Sequence, residues 1–317
     1  MQRSSIELAI KKPFGLFSTV ISHGWYQTLP FRWQHDRRVL QRAERLDDGR
    51  VMLVEMSEQR SAKRGYVALR IDVAGEGADE PAVAAEIARR CSSMLHAEED
   101  LRGFYALCAT RPELAAALRH GAGRCMRASS LFEDVVKTIL GTNVVWKQAV
   151  VMINRLAGLG HKCPTDPTLR AWPTAAQIAK AGERYLRNRV RAGYRSPYIV
   201  ELARNHAARE AGLDAIEALA ESGDDEALYK ALVQIKGVGK SSAHFLMNLL
   251  GHYAHISVDS ATYAYAKREL FKGKRPTEKQ IRRRFAEFGE WQSLVYWFAR
   301  WEAQLAWWED ASGRSSA

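Results

Sequence analysis

Cysteine is scarce in this 317-residue sequence: Cys91, Cys108, Cys125 and Cys163 are the four, none sits in a C-x-x-C pair, and none lies beyond Cys163. That pattern excludes a disulfide-stapled scaffold, a zinc ribbon and a cysteine-held iron–sulfur cluster, and reads as buried free thiols. With 9 prolines and 22 glycines, the chain is neither collagen-like nor of low complexity. Acidic residues are the minority charge, 36 against 47 Lys plus Arg, which leaves a formal net charge of +11. Such an excess points to a polyanionic partner, nucleic acid before an anionic membrane surface. Long apolar runs are missing too. The N-terminal MQRSSIELAIKKPF has no apolar core of signal-peptide length, and the uncharged stretch 241–258 holds three histidines, an asparagine and three serines. That stretch is expected to be a buried helix and its exit turn. With 47% hydrophobic and 26% charged residues, the expectation is a soluble, cytoplasmic protein with room for one large domain or two to three ordinary ones.

Two textures follow one another along the chain. From about residue 15 to 75 the segments 17–22, 51–56 and 67–73 are short, rich in Val, Leu, Ile and Met, and separated by turn clusters. They predict a small antiparallel sheet, with Asp47-Asp48-Gly49 as a hairpin turn between 39–40 and 51–52. From Pro81 onward the period is helical, over 81–96, 99–109, 112–120, 131–140, 146–159, 174–181, 196–211, 214–221, 225–234, 240–250, 260–269, 277–288 and 291–308. Pro112 and Pro197 suit first-turn positions, Ser130 suits a helix cap, and the Ser-rich tail after Asp310 reads as frayed. Short helices on short loops imply an orthogonal array in an α+β protein. The expected domains are 1–95, β-rich, and 96–317, helical; the latter has one lobe of 131–258 and another of 96–130 plus 259–317.

The most informative segment is Leu232-Val-Gln-Ile-Lys-Gly237-Val238-Gly239-Lys240-Ser241-Ser242-Ala243. A helix ends near Ile235, a Gly-Val-Gly turn reverses the chain, and a second helix begins at once. Glycine permits positive φ and a close approach of phosphate, while the amides opening the second helix form an anion site. Carbonyls on the other side of such a turn, near Ile235 and Val238, can hold a monovalent cation, Na+ or K+. A tight turn that binds nothing is the simpler alternative. Twenty residues after Gly239 comes Ile256-Ser257-Val258-Asp259, where the aspartate also suits a helix N-cap.

This spacing resembles the helix-hairpin-helix (HhH-GPD) DNA glycosylase superfamily, in which L-x-x-I-x-G-V-G-x-x-x-A is followed about twenty residues later by a catalytic aspartate in V-D-[ST]. Leu232, Ile235, Gly237, Val238, Gly239, Ala243 and Asp259 match in register. The resemblance implies that Gly237, Val238, Gly239, Lys240, Ser241 and Ser242 hold DNA phosphates and that Asp259 is catalytic. Members that also cut the strand carry a Schiff-base lysine at the second position after the turn. That position here is Ser241, beside the base pocket, and Lys240, about 100° away round the helix, is expected to face the phosphates. The chain also lacks the C-terminal cysteines of the cluster-bearing endonuclease III branch. In outline it is closest to 3-methyladenine DNA glycosylase II and 8-oxoguanine DNA glycosylase, which place a β-domain before the helices.

Leu131-Phe132-Glu133-Asp134…Gly141-Thr142-Asn143-Val144 is similar to the family's F-E helix, whose exit supplies a wedge for the gap left by an extracted base. Asn143, with Val144 beside it, takes that position, or simply caps the helix C-terminus. Trp172-Pro173-Thr174 resembles a structural F-P-T turn, and Gly289-Glu290-Trp291-Gln292-Ser293 resembles a P-W-R-S element whose tryptophan lines the base pocket. Trp297, Trp301, Trp307 and Trp308 keep plain core open as the alternative for Trp291. Two basic runs, at 184–195 and 272–284, are solvated faces or further phosphate contacts. A metal triad of His252, His255 and Asp259 is set aside, since this family's hydrolysis uses no catalytic metal.

The resemblance thus implies a monomeric, monofunctional enzyme of base excision repair, without cofactor, cytoplasmic and nucleoid-associated if bacterial. It would flip a damaged base from double-stranded DNA, an alkylated purine first, oxidised guanine or a deaminated base second, and leave an abasic site. The alternative of another class is a non-catalytic helix-hairpin-helix DNA-binding protein, for which Asp259 has no special role.

Overall fold

The computed structural model describes residues 2–208 and 212–300. Strands β1 (Gln2–Lys11), β2 (Phe31–Gln34), β3 (Val39–Arg45), β4 (Val51–Arg60) and β5 (Tyr66–Gly75) form one antiparallel sheet in the order β1-β5-β4-β3-β2. The Asp47-Asp48-Gly49 turn folds β3 onto β4 as expected, with Arg45 opposite Val51 and Leu40 opposite Met56. Gly49 sits at φ +96°, where a side chain would strain the turn.

Two strand expectations are corrected. The segment 17–22 is not a strand: Leu16–Val20 is a helical turn in which the Ser18 and Thr19 hydroxyls donate to the Gly15 carbonyl at 2.9 and 2.8 Å. Leu16, Ser18, Thr19 and Val20 are all buried, and a short run buried on every side carries no period to separate helix from strand. Conversely, β1 is a strand outside the expected segments, in which Ile6, Leu8 and Ile10 point inward and alternate with exposed Ser5, Glu7 and Ala9. Period-2 alternation was the available signal.

Helices follow as α1 (Pro81–Met94), α2 (Arg102–Thr110), α3 (Leu131–Gly141), α4 (Trp146–Ala157), α5 (Ala175–Tyr185), α6 (Ser196–Ala207), α7 (Leu213–Ser222), α8 (Asp225–Gln234), α9 (Lys240–Leu249), α10 (Ser260–Tyr265), α11 (Glu278–Phe285) and α12 (Gln292–Ala299). Pro81 and Pro197 lie in first turns, and Ser130 Oγ caps α3 by accepting the Glu133 N–H. Thr174, from the Trp-Pro-Thr turn, makes a reciprocal capping box with Gln177 at the start of α5. The helix expected over 260–269 is α only to Tyr265 and continues as a π-turn over Ala266–Leu270. Trp301, Trp307, Trp308, the tail after Asp310 and residues 209–211 of the helix expected over 196–211 lie outside the described residues. The uncharged stretch 241–258 holds α9 and its exit turn, and among the described residues no helix is long and apolar enough to cross a membrane. The architecture is α+β, an antiparallel sheet followed by helices.

The chain divides into two compact units, Met1–Glu99 with Arg124–Asp214, and Asp100–Gly123 with Ala215–Ala317. The sheet does not stand apart from the helices after it, and the Gly-Val-Gly hairpin groups with the chain that follows rather than with 131–214.

Buried charge ties the sheet to α3 in the first unit. Arg42 of β3 donates to both carboxylate oxygens of Glu133, at 3.1 and 2.7 Å, and also pairs with Glu44 of its own strand. Lys137, one turn on from Glu133, lies 2.8 Å from it with its ammonium over the rings of Phe31, Trp172 and Trp25 at 5.0, 5.2 and 5.6 Å. Asp134 accepts from Trp25 Nε1 at 2.7 Å and from the Ala128 amide at 2.9 Å. Each buried charge thus has a partner, as burial demands.

Candidate active site and nucleic-acid interface

In the second unit, α8 and α9 form the hairpin. Asp224 caps α8 by accepting the Ala227 N–H at 2.9 Å; Leu228 and Leu232 of α8 and Ala243, Leu246 and Met247 of α9 are buried. His244 stacks on Tyr229 at 4.9 Å, and burial holds its imidazole neutral, down at about 4, with the Arg282, His255 and Lys240 charges pushing the same way. The turn is closed by the Val238 N–H donating to the Ile235 carbonyl at 2.9 Å. A monovalent cation at this turn would use that carbonyl's second lone pair.

The two turn glycines are not equivalent. Gly237 adopts φ +91°, which the turn itself requires. Gly239 is the α9 N-cap at φ −88° and ψ 177°, ordinary extended backbone, and a Cβ there would meet nothing within 4 Å among the described residues. The fold therefore does not demand glycine at 239. Behind it the first-turn amides of α9 have no carbonyl to bond within the helix.

The Lys240 ammonium, more than half exposed, is 2.7 Å from Glu278 Oε1, which also accepts from Arg282. Hydrogen bonds from Lys240 and then Arg282 pull the Glu278 carboxyl down to about 2. Ser241 faces the other way, its hydroxyl 2.9 Å from that of Ser257, which donates to the Ser241 carbonyl at 2.8 Å. This pair fastens the start of α9 to the segment entering Asp259.

Asp259 is the N-cap of α10. Its Oδ1 accepts the Thr262 N–H at 2.8 Å, while Thr262 Oγ1 accepts the Asp259 N–H at 3.1 Å. The residue is exposed, and Oδ2 has no hydrogen-bond partner among the described residues. One oxygen fixes the carboxylate and the other is presented. Cap and site candidate are one residue, so the two sequence readings do not compete.

Trp291 is half-buried at the start of α12, stacked on Tyr253 at 6.0 Å and tilted against Phe104 at 6.4 Å. Gly103 of α2 makes room for it: a Cβ there would fall 2.8–3.0 Å from the indole. His252, by contrast, bonds Asp225 and the Ala220 carbonyl, and no group of three His, Cys, Asp or Glu converges on a metal position among the described residues.

In the first unit, Asn143 follows α3 at φ +48° and is exposed, its Nδ2 donating to the Tyr194 hydroxyl at 3.1 Å. Val144 is half-buried, whereas Val145 is 66% exposed. Arg195, counted in the first basic run, is buried and donates to the Thr142 carbonyl, so it shapes this loop and does not face solvent. Arg184, Arg189 and Arg191 stay exposed, as do Lys272, Lys274, Arg275, Lys279 and Arg283 of the second run. Tyr194 and Arg195 support the Asn143 loop from about fifty residues away, which no local motif announces.

No family model matches the chain, and no curated protein does. Solved structures do. The chain is similar to 3-methyladenine DNA glycosylase from Archaeoglobus fulgidus at TM-score 0.72 and 18% identity, with 96% of this chain and 99% of that one covered. It is similar to the apo form of Clostridium acetobutylicum 8-oxoguanine glycosylase/lyase at TM-score 0.70 and 19% identity, with 94% and 96% covered. Against that enzyme bound to double-stranded DNA with cytosine opposite 8-oxoguanine, the values are 0.66 and 16%, with 94% and 98% covered. At such identities the likeness is one of architecture: this chain shares the fold of these two DNA glycosylases.

Proposed function

We propose that this protein is a monofunctional DNA glycosylase that acts as a monomer on double-stranded DNA, hydrolyses the N-glycosidic bond of an alkylated purine and leaves an abasic site. Asp259 carries this reading: an exposed carboxylate with one oxygen anchored and the other without a partner among the described residues, twenty residues beyond a Gly-Val-Gly hairpin. Its charge would stabilise an oxocarbenium-like sugar and orient the attacking water. A cationic alkylated base leaves without a strong general acid, and the half-buried indole of Trp291 suits a cationic ring. Asn143 is the residue proposed to enter the base stack, with Val144 beside it. No metal or cluster is needed for these steps; a Na+ or K+ ion near Ile235 and Val238 would be structural.

Oxidised guanine is the second reading, favoured by the likeness to the Clostridium acetobutylicum enzyme. A deaminated base comes third. Base release from duplexes treated with dimethyl sulfate, or carrying 8-oxoguanine, hypoxanthine or uracil, separates them. Methylated purines are expected to leave fastest. Release of 8-oxoguanine alone would move the substrate, and binding with no release of any base would return the chain to a non-catalytic hairpin protein.

Strand cleavage is expected to be absent. A serine hydroxyl at 241 forms no imine, and Lys240 is paired with Glu278. Borohydride added during turnover should trap no protein–DNA adduct, and nicks should appear only after hot alkali. A strong adduct that disappears in Lys240→Ala would place the nucleophile one residue earlier than assigned.

Gly239→Ala is expected to leave the protein folded with a loss of at most about 1 kcal/mol, the cost of alanine at an N-cap, because φ and space both allow alanine. It should nevertheless weaken binding to damaged and undamaged duplex alike, since the methyl group stands where a phosphate would approach the α9 amides. Binding should fall steeply with salt, with log K changing by about −0.9 per phosphate contact per unit of log salt. Unaltered affinity for undamaged duplex at low salt would show that the hairpin is not the anchor.

A further inference from the structure

Asp259 is held from behind by a chain of side chains that begins at a cation. Thr262 Oγ1 has four polar neighbours: the Asp259 N–H at 3.1 Å, Asp259 Oδ1 at 2.8 Å, the Ser257 carbonyl at 2.9 Å and the Tyr296 hydroxyl at 2.7 Å. The far side of Tyr296 is met by Arg300, whose Nη1 donates to the phenol oxygen.

The direction of this chain follows by elimination. A guanidinium has no acceptor, so the Tyr296 oxygen accepts from Arg300 and its own proton remains for Thr262. Thr262 Oγ1 then accepts twice, from Tyr296 and from the Asp259 amide, and its single proton is left for Asp259 Oδ1 and the Ser257 carbonyl, both pure acceptors. The Arg300–Tyr296 and Tyr296–Thr262 bonds thus point from the cation towards the Asp259 cap, and such aligned bonds polarise one another. Tyr296 is buried against Tyr265 and Phe285, with ring centres at 6.1 and 5.6 Å, so its hydroxyl cannot swing elsewhere. Burial pushes that phenol up to about 12, which keeps it a donor at any physiological pH.

We propose that Tyr296, acting through Thr262, is a positioning residue for Asp259: it fixes the carboxylate rotamer so that Oδ1 stays in the helix cap and Oδ2 faces the reacting sugar. The inference rests on the catalytic reading of Asp259. Side-chain placement of this kind affects the chemical step far more than duplex binding, because a misaligned group still lies in the same place relative to the phosphates.

The test compares Tyr296→Phe, Thr262→Val, Thr262→Ser and Asp259→Asn in the full chain. Three quantities are measured: single-turnover release of methylated bases from duplex treated with dimethyl sulfate, affinity for a duplex with a tetrahydrofuran abasic site, and melting temperature. Tyr296→Phe and Thr262→Val are expected to lose about tenfold or more in release rate at near-constant affinity, with Thr262→Ser restored to within about twofold of wild type. Wild-type release rates in both Tyr296→Phe and Thr262→Val, with Asp259→Asn inactive, would overturn the relay and leave the catalytic aspartate standing. Full activity in Asp259→Asn would remove the reading beneath it, and the relay with it. Should Tyr296→Phe fail to fold, the Thr262 pair decides: equal losses in valine and serine variants, with lowered melting points, would reduce the contacts to packing.

Discussion

Replacing Asp259 by asparagine is expected to cut base release by about 10²-fold or more, the usual effect of removing a preorganised electrostatic group from a reaction centre. The substitution is unusually clean here. Asparagine caps helices as well as aspartate does, and its amide oxygen can take the Oδ1 place, accepting the Thr262 N–H now held at 2.8 Å. Helix α10 and the backbone around 259 should therefore persist, and what disappears is the negative charge at the unpartnered oxygen. Alanine would be a poorer test, since losing the cap costs about 1 kcal/mol and frays α10 along with the chemistry. Binding to a duplex with an abasic analogue should hold or tighten slightly, because one negative charge facing a polyanion is gone. Release within about tenfold of wild type would remove Asp259 from the catalytic role, since groups of this kind matter by more than that.

The parts of the site that were legible in the sequence are the ones compressed into a single short stretch. Gly237, Gly239 and Asp259 lie within twenty-three residues, so spacing alone exposes them. Their supports are not local. Tyr296 reaches Thr262 from 34 positions on, Tyr194 reaches Asn143 from 51, and Glu278 reaches Lys240 from 38. Helical period placed Lys240 on a phosphate-facing side but was blind to a carboxylate brought in by α11. The sheet shows a similar limit. Asp47-Asp48-Gly49 dictates a hairpin through local turn chemistry, while 17–22 is buried on all sides and its apolar run fits either structure. Helix α3 misleads in the opposite sense. It carries the charged residues Glu133, Asp134 and Lys137, yet every residue from Leu131 to Leu140 is buried. Their partners, Arg42, Trp25, Phe31 and Trp172, come from distant parts of the chain.

That buried cluster sets the largest expected stability effect. Glu133 is the anion shared by two cations, Arg42 and Lys137, each at most 2% exposed. Burial alone would push the Glu133 carboxyl up; Arg42 and Lys137 reverse that and hold it below the usual carboxylate range. Its folded-state value is depressed, so its stabilisation is present above that range and is lost as the pH falls into acid. Glu133→Gln keeps the shape but takes the paired carboxylate from buried Lys137 and leaves Arg42 with Glu44 alone, and is expected to destabilise the protein by about 3–5 kcal/mol. Lys137→Met should behave differently. It leaves the paired Arg42–Glu133 bonds intact and puts a flexible apolar chain among three aromatic rings, so a change of less than about 1.5 kcal/mol is expected. Urea denaturation followed by tryptophan fluorescence reads both, since Trp25 and Trp172 lie against Lys137. Because α3 ends where Asn143 begins, Glu133→Gln should also lower base release at temperatures where the protein is still folded. Equal penalties in the two variants would mean that lost packing, and not stranded charge, decides the energetics of this helix.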